Sequence, residues 1–393
     1  MGIRKITLGH LDISRSAKVY VNTALNNNRL SRGPFTQLVE KTFAHLHDSR
    51  YGIFLNSGTS ALQVALTALK EVYGYKDGEE VLVPATTFIA TSNIVLQCGM
   101  KPVFVEVNPI TFNMDPDEIV RKITHKTRCI IPVHLFGLPA DMARIRNIAN
   151  RYVLQIIEDS CETVLSKTSE RPVGSWGELA CFSTYVAHHV VGGIGGFITT
   201  SSTKLDEICR SLMQHGRDSI YTNIDQDDTQ DEKLMKQMIE RRYSFQRVGF
   251  SYRATELEAA LALAALDDIR KSVRIRQSNA NYLTRLLEDL KHVLLLPYTP
   301  EHQEHTYMMY PMVCKEGVDR EALLMHLEKN GIETRYLFPL LSQPVYVKLF
   351  PGLAEQYPVS QNLGKQGFFI GMHQGLIVKD MFYISKVIHG YFK

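Results

Sequence analysis

The chain of 393 residues lacks the features that would direct it to a membrane or out of the cell. No long uncharged apolar run occurs, which argues against a membrane-spanning helix. The opening residues, MGIRKITLGHLDIS, mix charged and apolar groups. They hold no secretory hydrophobic region and lack the Ser/Thr of a myristoylation signal. These absences predict a soluble, cytoplasmic protein. The six cysteines (Cys98, Cys129, Cys161, Cys181, Cys209 and Cys314) include no C-x-C or C-x-x-C pair. That spacing weakens the case for zinc or a compact iron–sulfur cluster, so no metal site is expected and the thiols read as reduced and buried. A net charge of +3, evenly spread, is too small to argue for nucleic acid or a membrane surface. No internal repeat or low-complexity tract is present.

What the sequence has is an alternation of strand-like and helical runs from about Tyr51 to Asp159. GIFLN, EEVLVPA, KPVFVEV, CIIPVHLFG and LQIIEDS read as strands, with a helical pattern between each and the next. LACFSTY and GGFITT add two short strands. Strands separated by single helices imply crossover connections, hence an α/β fold with a mostly parallel seven-stranded sheet. A polar stretch from Arg217 to Arg242 reads as a surface loop or mobile helix. A long helical pattern, TELEAALALAALDDIRKSVRIRQSNANYLTRLLEDL, then leads into a compact α+β remainder. The expected division is an N-terminal arm and large domain over residues 1–250, and a linking helix with a small domain over 251–393.

Ligands of open parallel sheets bind beyond the carboxyl ends of the strands. At such ends stand Asn56–Thr59, Thr86–Phe88, His134, Asp159 and Ser183. N-S-G-T-S sits between a strand and a helix, so Gly58 and Thr59 suit a phosphate at the open helix end, although Ser57 reads equally as an ordinary helix cap. Asp159 can be a turn residue or a partner for a protonated ring nitrogen. Phe88 reads by itself as a core aromatic, and in a site it could stack on a planar ring. The run Phe182–Gly196, FSTYVAHHVVGGIGG, puts two histidines before a glycine-rich turn, where one imidazole can move protons near neutral pH.

Taken in order, these motifs resemble the DegT/DnrJ/StrS family of nucleotide-sugar aminotransferases. The likeness runs from RLSRGPFTQLVEKTFAHL to the final GFFIGMHQG. It implies a fold type I transferase related to aspartate aminotransferase, with pyridoxal phosphate (PLP) or pyridoxamine phosphate (PMP) as cofactor. It also implies a nucleotide-sugar substrate and a homodimer with shared sites. The family loop reads roughly F-S-F-x-x-x-K-x-x-x-x-G-x-G-G. The lysine that normally holds PLP as a Schiff base is here His188. An imidazole cannot form that bond but can carry a proton.

The same departure occurs in the sugar 3-dehydratases, such as GDP-4-keto-6-deoxymannose 3-dehydratase. An iron–sulfur branch of these enzymes carries C-x-C, which this chain lacks. The resemblance implies that Gly58, Thr59 and Ser183 hold the phosphate, Phe88 stacks on the ring, and Asp159 pairs with its nitrogen. It further implies that L-glutamate donates the amino group and that His188 is the base for loss of the C3 hydroxyl. Ser251 stands where relatives carry an asparagine that reaches the neighbouring subunit's phosphate. Ile194 replaces a common glutamate. An ordinary aminotransferase and a non-catalytic relative stay open as alternatives.

Overall fold

The protein is represented by a computed structural model, which describes residues 5–218, 231–241 and 243–393. Seven strands form the main sheet: β1 (Tyr51–Leu55), β2 (Glu80–Pro84), β3 (Lys101–Val105), β4 (Thr127–Ile130), β5 (Gln155–Asp159), β6 (Leu179–Ser183) and β7 (Gly196–Thr200). Their order across the sheet is β1-β7-β6-β5-β4-β2-β3. All neighbours run parallel except β7, which is antiparallel to both β1 and β6. The mostly parallel sheet expected from the βα alternation is therefore present.

The reason lies in the composition of the strands. IFL, VLV, CI and II are buried on both faces, which is where near-continuous apolar runs belong in a parallel sheet. One face packs on Ala61, Leu62, Ala65, Leu66 and Leu69 of helix Gly58–Tyr73. The opposite face packs on Met142, Ile145 and Ala149 of helix Met142–Tyr152. Burying each large aliphatic side chain in these layers contributes roughly 1.5–3 kcal/mol.

A second sheet follows: β8 (Leu294–Leu295), β9 (Met309–Cys314), β10 (Thr334–Tyr336) and β11 (Gly367–Gly371), in the antiparallel order β8-β9-β11-β10. Helices Ile269–Leu286, Arg320–Lys329 and Val378–Tyr391 supply its apolar core, through residues such as Leu283, Leu323, Leu327 and Ile384.

Two expectations need correction. The long helical pattern after Thr255 is two helices, Glu256–Asp267 and Ile269–Leu286, with a non-helical Asp268 between them (φ −108°, ψ 5°). The Ala- and Leu-rich first part packs against helices Arg15–Asn26 and Pro34–Leu46, while the second packs on Val378–Tyr391. One straight helix cannot serve both surfaces. CIIPVHLFG ends as a strand at Ile130, because Pro132 has no N–H to donate to a ladder. Its continuation is a single bridge, Val133 to Asp159, followed by a 3₁₀ turn at Leu135–Gly137. Within the polar stretch 217–242, residues 232–241 form a helix, and 219–230 and 242 lie outside the described residues.

Candidate active site

The carboxyl ends of β1, β5 and β6 meet at one point, and Gly58 is the reason they can. A β-carbon at Gly58 would lie 2.8 Å from Cys161 Sγ and 2.9 Å from Ser183 Cβ. Only glycine allows the turn after β1 to press so closely against the turns after β5 and β6. Ser57 caps helix Gly58–Tyr73: its side chain accepts from Ser60 N (3.0 Å) and its carbonyl from Ala61 N (3.1 Å). The capping reading and the anion-binding reading are therefore compatible. The cap uses the third and fourth amides, and those of Gly58 and Thr59 lie ahead of them at the positive end of the helix. Thr59 is exposed and Ser183 half-buried, its Oγ accepting from Tyr185 N at 3.3 Å.

Asp159 ends β5 and is 4% exposed. Thr91 Oγ1 donates to its Oδ2 (2.8 Å) and Cys161 N to its Oδ1 (3.2 Å), and no cation pairs with it among the described residues. Burial raises its pKa, with Cys161 and Thr91 pulling partly back. A carboxylate in that condition gains from a protonated partner. Thr91 is itself aligned by Thr87 Oγ1 at 3.0 Å, four residues earlier and ahead of the helix.

Phe88, beside Thr87, is 56% exposed, so the core-aromatic reading is wrong for it. The chain turns it outward at the entry to helix Ala90–Gln97. There it meets Phe338 edge-on with centroids 6.2 Å apart and lines an apolar cavity of about 340 Å³ together with Ile89, Tyr336, Leu340 and Phe369.

His188 lies in the loop between β6 and β7. It is half-buried, its ring edge-on to Tyr185 at 6.0 Å, with Nδ1 enclosed and without a hydrogen-bond partner. Burial lowers its pKa to about 4; the backbone at Ser183 works against the shift, and the buried charge of Arg276 adds to it. The imidazole is thus neutral at pH 7, the state a proton acceptor requires. His189 is 6% exposed and occupied, its Nε2 lying 3.2 Å from the carbonyl oxygen of Thr306.

His134, at a strand end like Asp159, is not part of this cluster. Its Nδ1 accepts from Ala140 N (3.0 Å) and its Nε2 donates to Glu158 Oε2 (3.1 Å), and it is wholly buried. Ser251 stands apart as well. Its segment bridges Gln214, and the carbonyl of the next residue, Tyr252, accepts from Asn56 N (2.9 Å). The Ser251 side chain is exposed and takes a hydrogen bond from Arg253 (3.3 Å). Ile194 is exposed too.

The sequence reading passed over Thr91 and Glu162. Thr87 and Thr91 at i, i+4 could have suggested a polar helix face. Glu162 was visible only as a second acid after E-D-S. It is buried, accepts from Phe136 N (2.8 Å), and has its pKa raised to about 8, first by burial and also by the charge of Asp159, against the Phe136 amide.

The geometry suits a phosphorylated pyridine. There is a close-packed glycine turn at a helix N-terminus, a buried carboxylate that lacks a cation, an outward aromatic face, and a neutral imidazole in the adjoining loop.

Residues 12–389 match the sequence profile of the DegT/DnrJ/EryC1/StrS aminotransferase family. A GDP-perosamine synthase of Caulobacter vibrioides is 32% identical over 89% of this chain and 88% of its own length. A dTDP-4-dehydro-2,6-dideoxy-D-glucose 3-dehydratase of Saccharopolyspora spinosa is 30% identical over 92% of this chain and 80% of its own. Among solved structures, Escherichia coli GDP-4-keto-6-deoxy-D-mannose-3-dehydratase with bound hydrated PLP superposes with a TM-score of 0.88. It is 22% identical, covering 98% of this chain and 100% of that one. No helix among the described residues is long and apolar enough to cross a membrane.

Proposed function

This chain belongs to the DegT/DnrJ/EryC1/StrS aminotransferase family, whose cofactor is pyridoxal phosphate, and from that premise we propose that it is a PLP/PMP-dependent 3-dehydratase. Its substrate in this reading is a nucleotide-linked 4-keto-6-deoxyhexose, and L-glutamate is the amino donor that regenerates PMP. It works in the cytoplasm as a homodimer with shared sites. One observation carries the reading: the neutral, half-buried imidazole of His188 in a loop, Phe182–Gly196, that contains no lysine.

When bound, the cofactor supplies a protonated ring that withdraws electrons from the bond being broken. The protein's residues divide the remaining work. The Gly58 and Thr59 amides and the Ser183 hydroxyl would hold the phosphate dianion at the helix end. Asp159 would pair with the ring nitrogen and favour its protonated form, and Phe88 would supply an aromatic face to the ring. Ser251 is offered to the phosphate of the second subunit's site. His188 takes up the proton, and its lack of a primary amine disfavours transfer of the amino group.

The relatives frame the one competing reading. The likeness to a GDP-perosamine synthase favours an aminotransferase, and the likeness to a 3-dehydratase favours elimination. Incubation of the protein with PLP, L-glutamate and a 4-ketosugar nucleotide separates them. Ammonia and a 3-deoxy ketosugar are expected, whereas a stable amino sugar without ammonia supports transfer. His188→Lys should abolish dehydration and give a covalently attached cofactor. Native dehydration surviving in that variant overturns the role of His188. A chain that takes up no cofactor would be a non-catalytic relative.

A further inference from the structure

His188 is flanked by two residues that are each pinned to the four-stranded part of the molecule. On one side is Ala187. A β-carbon on Gly9 would stand 3.1 Å from Ala187 Cα and 3.1 Å from the Val186 carbonyl oxygen, so the N-terminal arm abuts the loop backbone there. That arm is itself fixed next to β10. Ile6 N donates to Gly331 O (2.8 Å), Glu333 N to Ile6 O (2.9 Å), and Leu8 N to Glu333 Oε2 (3.1 Å), while the ring of His10 stacks on His373 at 5.3 Å.

On the other side is His189. Its partner, the Thr306 carbonyl, can only accept, so Nε2 carries the proton and donates. The run that holds this carbonyl is gripped from two further directions. Thr306 N donates to Gly137 O (2.8 Å). From helix Ile269–Leu286, Arg276 Nη1 donates to Met308 O (2.9 Å) and Gln277 Nε2 to His305 O (3.0 Å). Thr306 is therefore a fixed post.

We propose that His189 is a positioning residue: its hydrogen bond to Thr306, opposed by the stop that Gly9 sets against Ala187, holds the imidazole of His188 at its working distance. This rests on the reading that His188 moves the proton, in the half-reaction with L-glutamate as well as in the loss of the C3 hydroxyl. Misplacing a reacting group by about 1 Å costs on the order of a hundredfold in rate, and a loop released on one side has that freedom.

The test is the half-reaction of the PLP-loaded protein with L-glutamate, followed by the loss of the PLP absorbance band, alongside PLP titration and thermal melting. His189→Phe keeps a planar aromatic ring and removes the donor. Its limiting rate should fall about 10- to 100-fold, with half-saturation by glutamate, PLP affinity and melting temperature close to those of the parent. His189→Asn keeps an N–H donor and should recover most of the rate. Gly9→Val, which pushes the arm against the loop from the other side, should lower the same rate and decides the matter if His189→Phe does not fold.

A His189→Phe or Gly9→Val rate within twofold of the parent, with His188→Asn inactive, overturns the positioning role and leaves the proton role of His188 standing. So does a rate that falls only in step with PLP affinity. Full activity in His188→Asn overturns the underlying reading instead.

Discussion

Glu158 and Asp159 are neighbours on β5, yet they face opposite sides of the sheet and meet opposite electrostatics. Glu158 points into the structural side. It receives His134 Nε2 (3.1 Å) and the amides of Gly174 (2.8 Å), Trp176 (2.7 Å) and Gly177 (2.8 Å). Burial alone would raise its pKa, but His134 and these amides outweigh it and hold the carboxylate below its ordinary range. Asp159 receives two donors, and burial wins there.

The histidines repeat the contrast. Both nitrogens of His134 are bonded, while Nδ1 of His188 has no partner. On one side of the sheet end, Glu158 and His134 have their side-chain polar atoms bonded and brace the fold. On the other side, Asp159 has two neutral donors and no cation among the described residues, and can offer its charge to a ligand. Buried groups are normally satisfied, and in the proposed function a ligand supplies what Asp159 lacks.

Exchanging one carboxylate at a time tests this division most strongly. Glu158→Ala leaves several buried donors without an acceptor, each costing about 1–3 kcal/mol. The expected outcome is a sharp fall in melting temperature or loss of soluble protein. Asp159→Asn should keep or raise the melting temperature of the cofactor-free protein, while product formation falls about 10²–10³-fold. Similar stability losses in the two variants would erase the distinction.

Glu162 sharpens the comparison through pH. Its folded pKa, about 8, lies above its unfolded value of 4.5. The contribution of this group to stability is fully present below pH 4.5 and is lost as pH rises towards 8. Glu158, with a depressed folded pKa, acts in the opposite sense, its contribution being present above its unfolded value and lost on acidification. Glu162→Gln should therefore raise the melting temperature progressively between pH 5 and about 8 and change it little at lower pH. Denaturation followed across that range checks the sign.

The smallest effect is expected at Thr91. Thr91→Val removes one of the two donors to Asp159, a change of about 0.5–1.5 kcal/mol. PLP affinity should weaken severalfold, and titration of the cofactor by absorbance measures it.

The amino-acid pattern by itself determined the architecture and the parts list. Apolar runs buried on both faces specify parallel strands, and N-S-G-T-S marks a capped helix start. The loop with two histidines and four glycines marked the pair His188 and His189, and the family resemblance singled out His188. These signals are local, set by periodicity and by short-range hydrogen bonding, so they are legible without knowing what lies across the molecule. Only the tertiary structure decided which polar residues converge. Asp159, Thr91, Gly58 and Ser183 come together, while His134 at an equivalent strand end is consumed by Glu158. It alone turned Phe88 outward, raised Glu162, and tied His189 to Thr306. The physical reason is that burial and hydrogen-bond supply depend on groups distant in sequence, and those two quantities separate a carboxylate or imidazole that braces the fold from one left free to react.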